Sequence, residues 1–192
     1  MDQSGLEQVK ERLARLQAAA AVIASSAPTK DRVSAWLDFL QFHGTIYSKL
    51  EQAAKSAPES KDWFQTKRAE RKSDDLLKYL HHARNVGEHT IQKAASQATW
   101  AISGKVSDAG IPAFMGFKFD AQGKPVPESS GMKDVTIHEN EVLLNAVVDR
   151  GVTYYLPKEH AGQPIKGSTA KEIAALALHH AESMVEEAAA LT

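Results

Sequence analysis

Apolar residues recur every three or four positions at the start of the chain, in the pattern of an amphipathic helix. The series runs through Leu6, Val9, Leu13, Leu16, Ala20 and Ile23. This spacing places one apolar stripe along a helix, with charged residues on its other faces. Such a helix needs an apolar partner, because it cannot bury its stripe alone. The pattern therefore predicts a helix over about residues 5–26 that packs into a larger bundle.

Three later segments have the same period, and each begins at residues typical of a helix N-terminus. Thr29 is a candidate N-cap, Ser73-Asp74-Asp75 combines an N-cap with acids in the first turn, and Thr169 opens a capping box with Glu172. We predict helices over about 30–56, 74–99 and 169–190. The residues between the first two of these, about 59–72, are polar and basic, and Pro58 breaks the apolar pattern before them.

Glycine and proline punctuate the chain after Trp100, and short apolar runs lie between them. The apolar run 142–148, the turn Asp149-Arg150-Gly151 and the run 152–156 predict a β-hairpin. We predict a small antiparallel sheet over about 111–157. The predicted fold is mostly α, a helical bundle of about four helices with a small antiparallel β insertion (α+β). We expect a single domain over residues 1–192, because the first and last helices both need a partner.

Composition excludes several classes of function. The formal net charge is −1, which argues against a protein coated in positive charge for duplex DNA. The chain has no cysteine, which excludes disulfides, zinc–thiolate sites and thiol nucleophiles. No apolar run approaches the roughly 20 residues that span a bilayer, and the first residues lack the pattern of a signal peptide. We therefore expect a cytoplasmic protein with no membrane partner.

Polar residues concentrate on the helix predicted over 74–99. Asn85 and His89 are four positions apart and share a face, and His82 lies on the same stripe. Arg84 lies about 140° from His89 around the helix, beside the apolar stripe. An arginine directed at an interface is rare without a carboxylate or phosphate partner. These residues are therefore candidates for a site.

Arg84, Asn85 and His89 resemble the R-x(4–6)-H motif of the HEPN family, in which a polar residue often follows the arginine. The resemblance implies a bundle of about four helices with a variable insertion and the motif late in the third helix. Many members are metal-independent endoribonucleases that form homodimers, in which two motif copies face each other across a cleft. The resemblance covers the motif helix and, loosely, the order of the helices, but it does not account for residues 104–167.

The resemblance implies a role for each motif residue. Arg84 would bind the phosphate, His89 would transfer protons, and Asn85 would orient His89 or the phosphate. His82 and Glu88 are secondary candidates. RNA cleavage by attack of the 2′-OH would leave a cyclic phosphate and a 5′-OH, and it would need no cofactor and no metal. The setting would be a toxin, phage-defence or RNA-processing system, with an antitoxin protein as a possible partner.

The basic segment and the paired histidines allow other interpretations. The basic residues could contact RNA, with Trp63 or Phe64 as a stacking platform, or they could lie on a solvated loop whose aromatics anchor in the core; they are Lys67, Arg68, Arg71 and Lys72. Adjacent histidines on a helix point in different directions, so we predict no metal site at His81-His82 or His179-His180. We expect His180 to be a hydrogen-bonded core residue.

Three hypotheses about function follow from the sequence. The first is an endoribonuclease of the HEPN type. The second is a catalytically inactive HEPN-like module that binds a nucleotide, RNA or a protein partner. The third is a purely structural helical protein.

Overall fold

The computed structural model describes residues 1–89, 95–106, 114–121, 125–130, 132–167 and 169–192. These residues form two compact units, Met1–Gln97 with Val142–Thr192, and Ala98–Glu141. The described residues contain five α-helices, which are α1 Gln3–Ala24, α2 Thr29–Ala53, α3 Pro58–Ser73, α4 Asp75–His89 and α5 Ala170–Ala189. The prediction of a mostly helical protein with a small β insertion is confirmed. The prediction of a single domain stays a prediction.

The core of the first unit lies among the helices. Helix α1 packs against α2 and α5, and α4 packs against α2. Trp36, Phe39 and Tyr47 of α2 are almost completely buried there. The predicted capping box begins α5, where Thr169 Oγ1 accepts a hydrogen bond from the Glu172 amide. The apolar stripe predicted for α1 is largely buried, since Leu6, Val9, Leu16 and Ile23 all belong to the core.

Residues 58–73 form a helix, so the expectation of a loop in the basic segment is wrong. Pro58 occupies the first position of α3, where its missing N–H costs no hydrogen bond and its fixed φ favours the helix. Within α3 only Ser60 and Phe64 are buried, so the segment carries too few apolar residues for a period to be visible. The helix that carries the motif is consequently the fourth along the chain and not the third.

Helix α4 is shorter than the predicted helix over 74–99. It ends at His89, and residues 95–106 form a strand. Thr99, Trp100 and Ile102 are β-branched or aromatic residues, which favour a strand over a helix. Residues 90–94, which the predicted helix also included, lie outside the described residues.

The strands extend over a longer segment than the predicted 111–157. They are β1 Ala95–Val106, β2 Phe114–Phe119, β3 Pro125–Ser130, β4 Met132–Leu144, β5 Val147–Asp149, β6 Val152–Tyr154, β7 Glu159–His160 and β8 Gln163–Pro164. They pair two by two, β1 with β4, β2 with β3, β5 with β6 and β7 with β8. The β2–β3, β5–β6 and β7–β8 pairs are antiparallel.

The hairpin predicted around residue 150 is confirmed as the β5–β6 pair. Asp149 pairs with Val152 across a two-residue turn. Arg150 and Gly151 have φ values of 52° and 80°, as a type I′ turn requires at both central positions. Asp149 is the last residue of β5 and not a turn residue, so its side chain has a fixed direction relative to α4.

None of the helices in the described part of the chain combines the length and apolar character needed to cross a membrane.

Candidate functional site on helix α4

A carboxylate from the β5–β6 hairpin holds two polar residues of α4. Asp149 Oδ2 lies 2.7 Å from His82 Nδ1 and accepts a hydrogen bond of 3.0 Å from Asn85 Nδ2. His82 and Asn85 are three positions apart, so they lie one above the other on the same helix face. The His82 and Asp149 side chains are 20% and 14% exposed. The cluster is therefore largely shielded but open to solvent at one side.

The charge on Asp149 fixes the proton on the histidine. Hydrogen bonds from His82 and Asn85 lower the pKa of Asp149 below its usual range, so its carboxylate is ionised at neutral pH. An ionised carboxylate only accepts hydrogen bonds, so His82 Nδ1 must carry the hydrogen. In the neutral ring, Nε2 is then the nitrogen that can accept a proton. This is the arrangement of a histidine oriented for general acid–base chemistry.

An aromatic ring from the same hairpin fixes the plane of the histidine. The rings of His82 and Tyr154 stack with their centroids 3.6 Å apart and their planes 12° from parallel. Tyr154 is the last residue of β6. The hairpin thus supplies both the hydrogen-bond acceptor and the stacking surface that orient His82.

Arg84 lies on a different side of α4 and packs against α2. Its Nε donates to Gln41 Oε1 at 3.2 Å. A Cβ added to Gly44 would lie 2.5 Å from Arg84 Cδ, so the absence of a side chain at Gly44 makes room for the arginine. Arg84 lines a small cleft of about 230 Å³ that also includes Leu37 and Gly87. The expectation that Arg84 is directed at the helix interface therefore holds.

The motif residues do not all converge within the described side chains. Asn85 binds Asp149, and Arg84 faces α2. His89 is the last residue of α4, and the side chains of Glu88 and His89 lie outside the described part of the structure. The predicted contact between Asn85 and His89 thus stays a prediction.

The four basic residues predicted to bind RNA divide between two faces of α3. Lys67 is only 11% exposed and forms ion pairs of 2.8 Å with Glu187 and 3.4 Å with Glu70. The Arg71 guanidinium lies 4.5 Å from the centre of the Tyr47 ring. Arg68 and Lys72 are exposed. A contact with RNA through this segment would therefore involve the exposed pair before the inward-facing pair.

The aromatic residues of α3 are anchored in the protein. Phe64 is buried, and Trp63 Nε1 donates a hydrogen bond of 2.9 Å to Glu187 Oε2 on α5. This outcome favours the core-anchoring interpretation over a stacking platform for these two residues.

A second cluster lies at the start of α4. Asp74 Oδ1 caps the helix by accepting from the Leu77 amide at 3.0 Å, and Oδ2 accepts from the Ala161 amide at 2.8 Å. His160 Nδ1 lies 3.1 Å from both Asp74 oxygens. Burial acts to raise the pKa of Asp74, but these hydrogen bonds together lower it. The cluster lines a cleft of about 510 Å³ that also includes His180.

His180 is hydrogen-bonded, as predicted, but it is half-buried at this cleft and is not a core residue. Its Nε2 lies 3.2 Å from the Tyr47 hydroxyl, and burial lowers its pKa. Among the described residues, no three His, Asp or Glu side chains are arranged to hold one metal ion.

Sequence reasoning missed Asp149 and Tyr154 as residues of the site. The sequence separates Asp149 from Asn85 by 64 positions, and no periodicity reports a contact at that distance. The available signal was the carboxylate at the end of a predicted strand, beside a turn that fixes its direction.

Compared with protein-family models, with curated proteins and with solved structures, the chain matches none.

Proposed function

We propose that this chain is a metal-independent endoribonuclease of the HEPN type, acting in the cytoplasm as a homodimer in a toxin, defence or RNA-processing setting. The observation that carries the proposal is the Asp149–His82 pair. It provides an oriented acid–base histidine on the same helix as the Arg84-Asn85…His89 motif.

Each step of RNA cleavage has a candidate group. His82 Nε2 takes the proton of the 2′-OH, the 2′-oxygen forms a bond to phosphorus, and the bond from phosphorus to the 5′-oxygen breaks. Protonated His89 gives its proton to the leaving 5′-oxygen, and Arg84 offsets the charge of the phosphorane. Asp149 stabilises the His82 imidazolium that forms. The products are a 2′,3′-cyclic phosphate and a 5′-OH.

The different directions of Arg84 and His82 favour a dimeric site. Arg84 reaches toward Gln41 of α2, whereas His82 reaches toward the hairpin. One phosphate group cannot easily contact both sides of a helix about 10 Å in diameter. The proposal therefore pairs Arg84 of one protomer with the histidines of its partner.

The test is cleavage of an end-labelled RNA pool in EDTA. We compare the wild type with His82→Ala, Asp149→Asn, Arg84→Ala and His89→Ala, and we use His179→Ala, an exposed histidine of α5, as the matched control. We expect losses of about 100-fold or more for His82→Ala, His89→Ala and Arg84→Ala, and no loss for the control. For Asp149→Asn we expect a loss of about 10- to 100-fold in kcat with little change in KM, because Asp149 orients His82 and does not touch RNA. Full activity in both His82→Ala and Asp149→Asn would contradict the proposed role of the pair.

A catalytically inactive HEPN-like module is the second candidate. Arg84 packs against Gly44 and donates a hydrogen bond to Gln41. This packing favours the inactive module, because an arginine held between helices is less able to move toward a phosphate. A wild type that binds RNA or a protein partner, such as an antitoxin, but cleaves no RNA would support this candidate over the enzyme.

A further inference from the structure

We infer that the cleft between the first turns of α4 and residues 153–158 binds one base of single-stranded RNA, with Tyr155 as the stacking surface. The inference rests on the proposed function and names where its substrate is held. The cleft has a volume of about 500 Å³, within the range of sites for small organic groups. Its lining includes Lys78, Tyr79, Tyr154, Tyr155, Leu156 and Lys158.

The exposure of Tyr155 is the first argument. Its side chain is 73% exposed, the largest exposure among the large apolar side chains that the structure describes. An aromatic side chain left in water forgoes the stabilisation that burial of its ring would contribute. Exposed aromatic rings beside a cleft are the surfaces on which bases of single strands stack.

The second argument is continuity with the site on α4. Tyr154 lines the cleft and also stacks on His82 at 3.6 Å between centroids. A base stacked on Tyr155 would therefore lie on the residue that directly follows Tyr154, whose ring orients His82. This position is suitable for a nucleotide next to the phosphate that His82 and Arg84 are proposed to process.

The charge and polarity of the lining are the third argument. The lining contains two lysines, Lys78 and Lys158, and one carboxylate, that of Asp75, so its net charge is positive. Lys158 is exposed, and Lys78 forms only a loose ion pair of 3.6 Å with Asp75. The Tyr79 hydroxyl already donates to the Asn145 carbonyl at 2.8 Å, so its hydrogen is not available to a ligand in the cleft. Apolar walls with cations at the rim match a stacked base with an attached phosphate.

The experiment measures binding separately from cleavage. A fluorescent single-stranded RNA with 2′-O-methyl riboses cannot be cleaved by 2′-OH attack, and its affinity is measured by anisotropy in EDTA. The variants are Tyr155→Ala, Tyr155→Phe and Lys158→Ala, with Leu176→Ala as an exposed apolar control on α5. Thermal unfolding verifies that each variant is folded, which we expect because these side chains are on the surface.

We expect Tyr155→Ala to weaken binding by roughly 5- to 150-fold, the effect of removing one stacked base, and Tyr155→Phe to keep wild-type affinity. Lys158→Ala should weaken binding and reduce the slope of log affinity against log salt by about 0.7. Equal affinity of the wild type and Tyr155→Ala would overturn the inference. So would a wild type that does not bind the RNA, which would leave Tyr155 to a protein partner.

Failure of the subsite and failure of the enzyme proposal give different results. Binding that depends on Tyr155, in a protein that cleaves no RNA, supports the subsite and contradicts the enzyme. Cleavage that depends on His82, with binding and KM unchanged in Tyr155→Ala, supports the enzyme and overturns the subsite.

Discussion

A methyl group added at Gly44 would meet Cδ of Arg84 at 2.5 Å and Nε at 2.8 Å. Alanine is favoured over glycine by about 1 kcal/mol inside a helix, but in Gly44→Ala this gain is offset by displacement of the arginine. We expect the free energy of unfolding in urea to stay within about 1 kcal/mol of wild type. If the chain is the proposed endoribonuclease, its RNA cleavage should fall toward the level of Arg84→Ala, because the guanidinium moves.

Gly87→Ala is the matched control for Gly44→Ala. The added methyl group would lie 3.7 Å from Leu37 Cδ2, an ordinary contact, so this variant should gain up to about 1 kcal/mol of stability. Wild-type cleavage by Gly44→Ala would show that the position of Arg84 against α2 does not matter for activity.

Helical geometry predicted part of the candidate site at the level of single residues. The angle of about 140° between Arg84 and His89 predicted that Arg84 faces the helix interface, and it packs there against Gly44. The partner of Asn85 could not be predicted, because Asp149 comes from a hairpin 64 positions away. Local spacing fixes the direction of a side chain, but only the tertiary fold determines what it meets.

Among the structural elements, α4 depends on Asp74 at its first turn. Asp74→Asn keeps one acceptor oxygen but loses the negative charge of the carboxylate. That carboxylate accepts hydrogen bonds from Leu77, Ala161 and His160. We expect a loss of about 1–2 kcal/mol in the free energy of unfolding at pH 7. The pKa of Asp74 is lowered from its ordinary 3.8 by folding. Its stabilisation is therefore fully present above that value and is lost as pH falls through the folded pKa.

The measurement for Asp74→Asn is urea unfolding at several pH values, with Asp75→Asn as the control in the same helical turn. The difference in the free energy of unfolding between Asp74→Asn and wild type should become smaller below pH 3.8. A difference independent of pH would mean that the charge of Asp74 contributes nothing.

The turn of the β5–β6 hairpin offers a stabilising substitution. Arg150 has a φ of 52°, which asparagine adopts more readily than other residues with a side chain. Arg150→Asn should raise the free energy of unfolding by a fraction of the roughly 1–2 kcal/mol that a left-handed backbone costs other side chains. Arg150→Ala lacks the left-handed preference and should give no gain, and equal effects of the two would contradict this explanation.

The elements with strong periodicity were predicted well, and those without it were not. The bounds of α1, α2 and α5 lie within a few residues of the predicted ones. Helix α3 was missed because only Ser60 and Phe64 among its residues are buried, so no apolar stripe is present. The end of α4 was misplaced because the residues after it fit a helical period, while the strand Ala95–Val106 decided their conformation.

Over the whole molecule, buried histidines make stability depend on pH. Burial lowers the pKa of His43 from 6.5 to about 3 and that of His81 to about 4. The neighbouring His180 and Arg71 also lower the pKa of His43. Below pH 6.5 the unfolded chain takes up protons that the folded chain does not, so stability must fall as pH falls.

His43→Leu tests this dependence. His43 Nε2 has no hydrogen-bond partner among the described residues, and the ring packs on Phe39, so an apolar side chain is tolerated there. Between pH 7 and pH 5 the wild type should lose about 2 kcal/mol through His43 alone, or 1.5 pKa units at 1.36 kcal/mol each. His43→Leu should lack this loss in urea unfolding. The exposed control His179→Ala should retain it, and parallel curves for His43→Leu and wild type would rule out His43 as the cause.

The order in which the chain is made determines when the candidate site can exist. Asn85 and His82 leave the ribosome well before Asp149, which follows Asn85 by 64 residues. At about 5–20 residues per second, this interval lasts roughly 3–13 s. Asp74, which caps α4, also accepts a hydrogen bond from the amide of Ala161, a still later residue. A nascent chain that already contains Arg84, Asn85 and His89 therefore still lacks Asp149 and Tyr154, the residues that orient His82. A cell that produces this protein has that time before the Asp149–His82 pair forms.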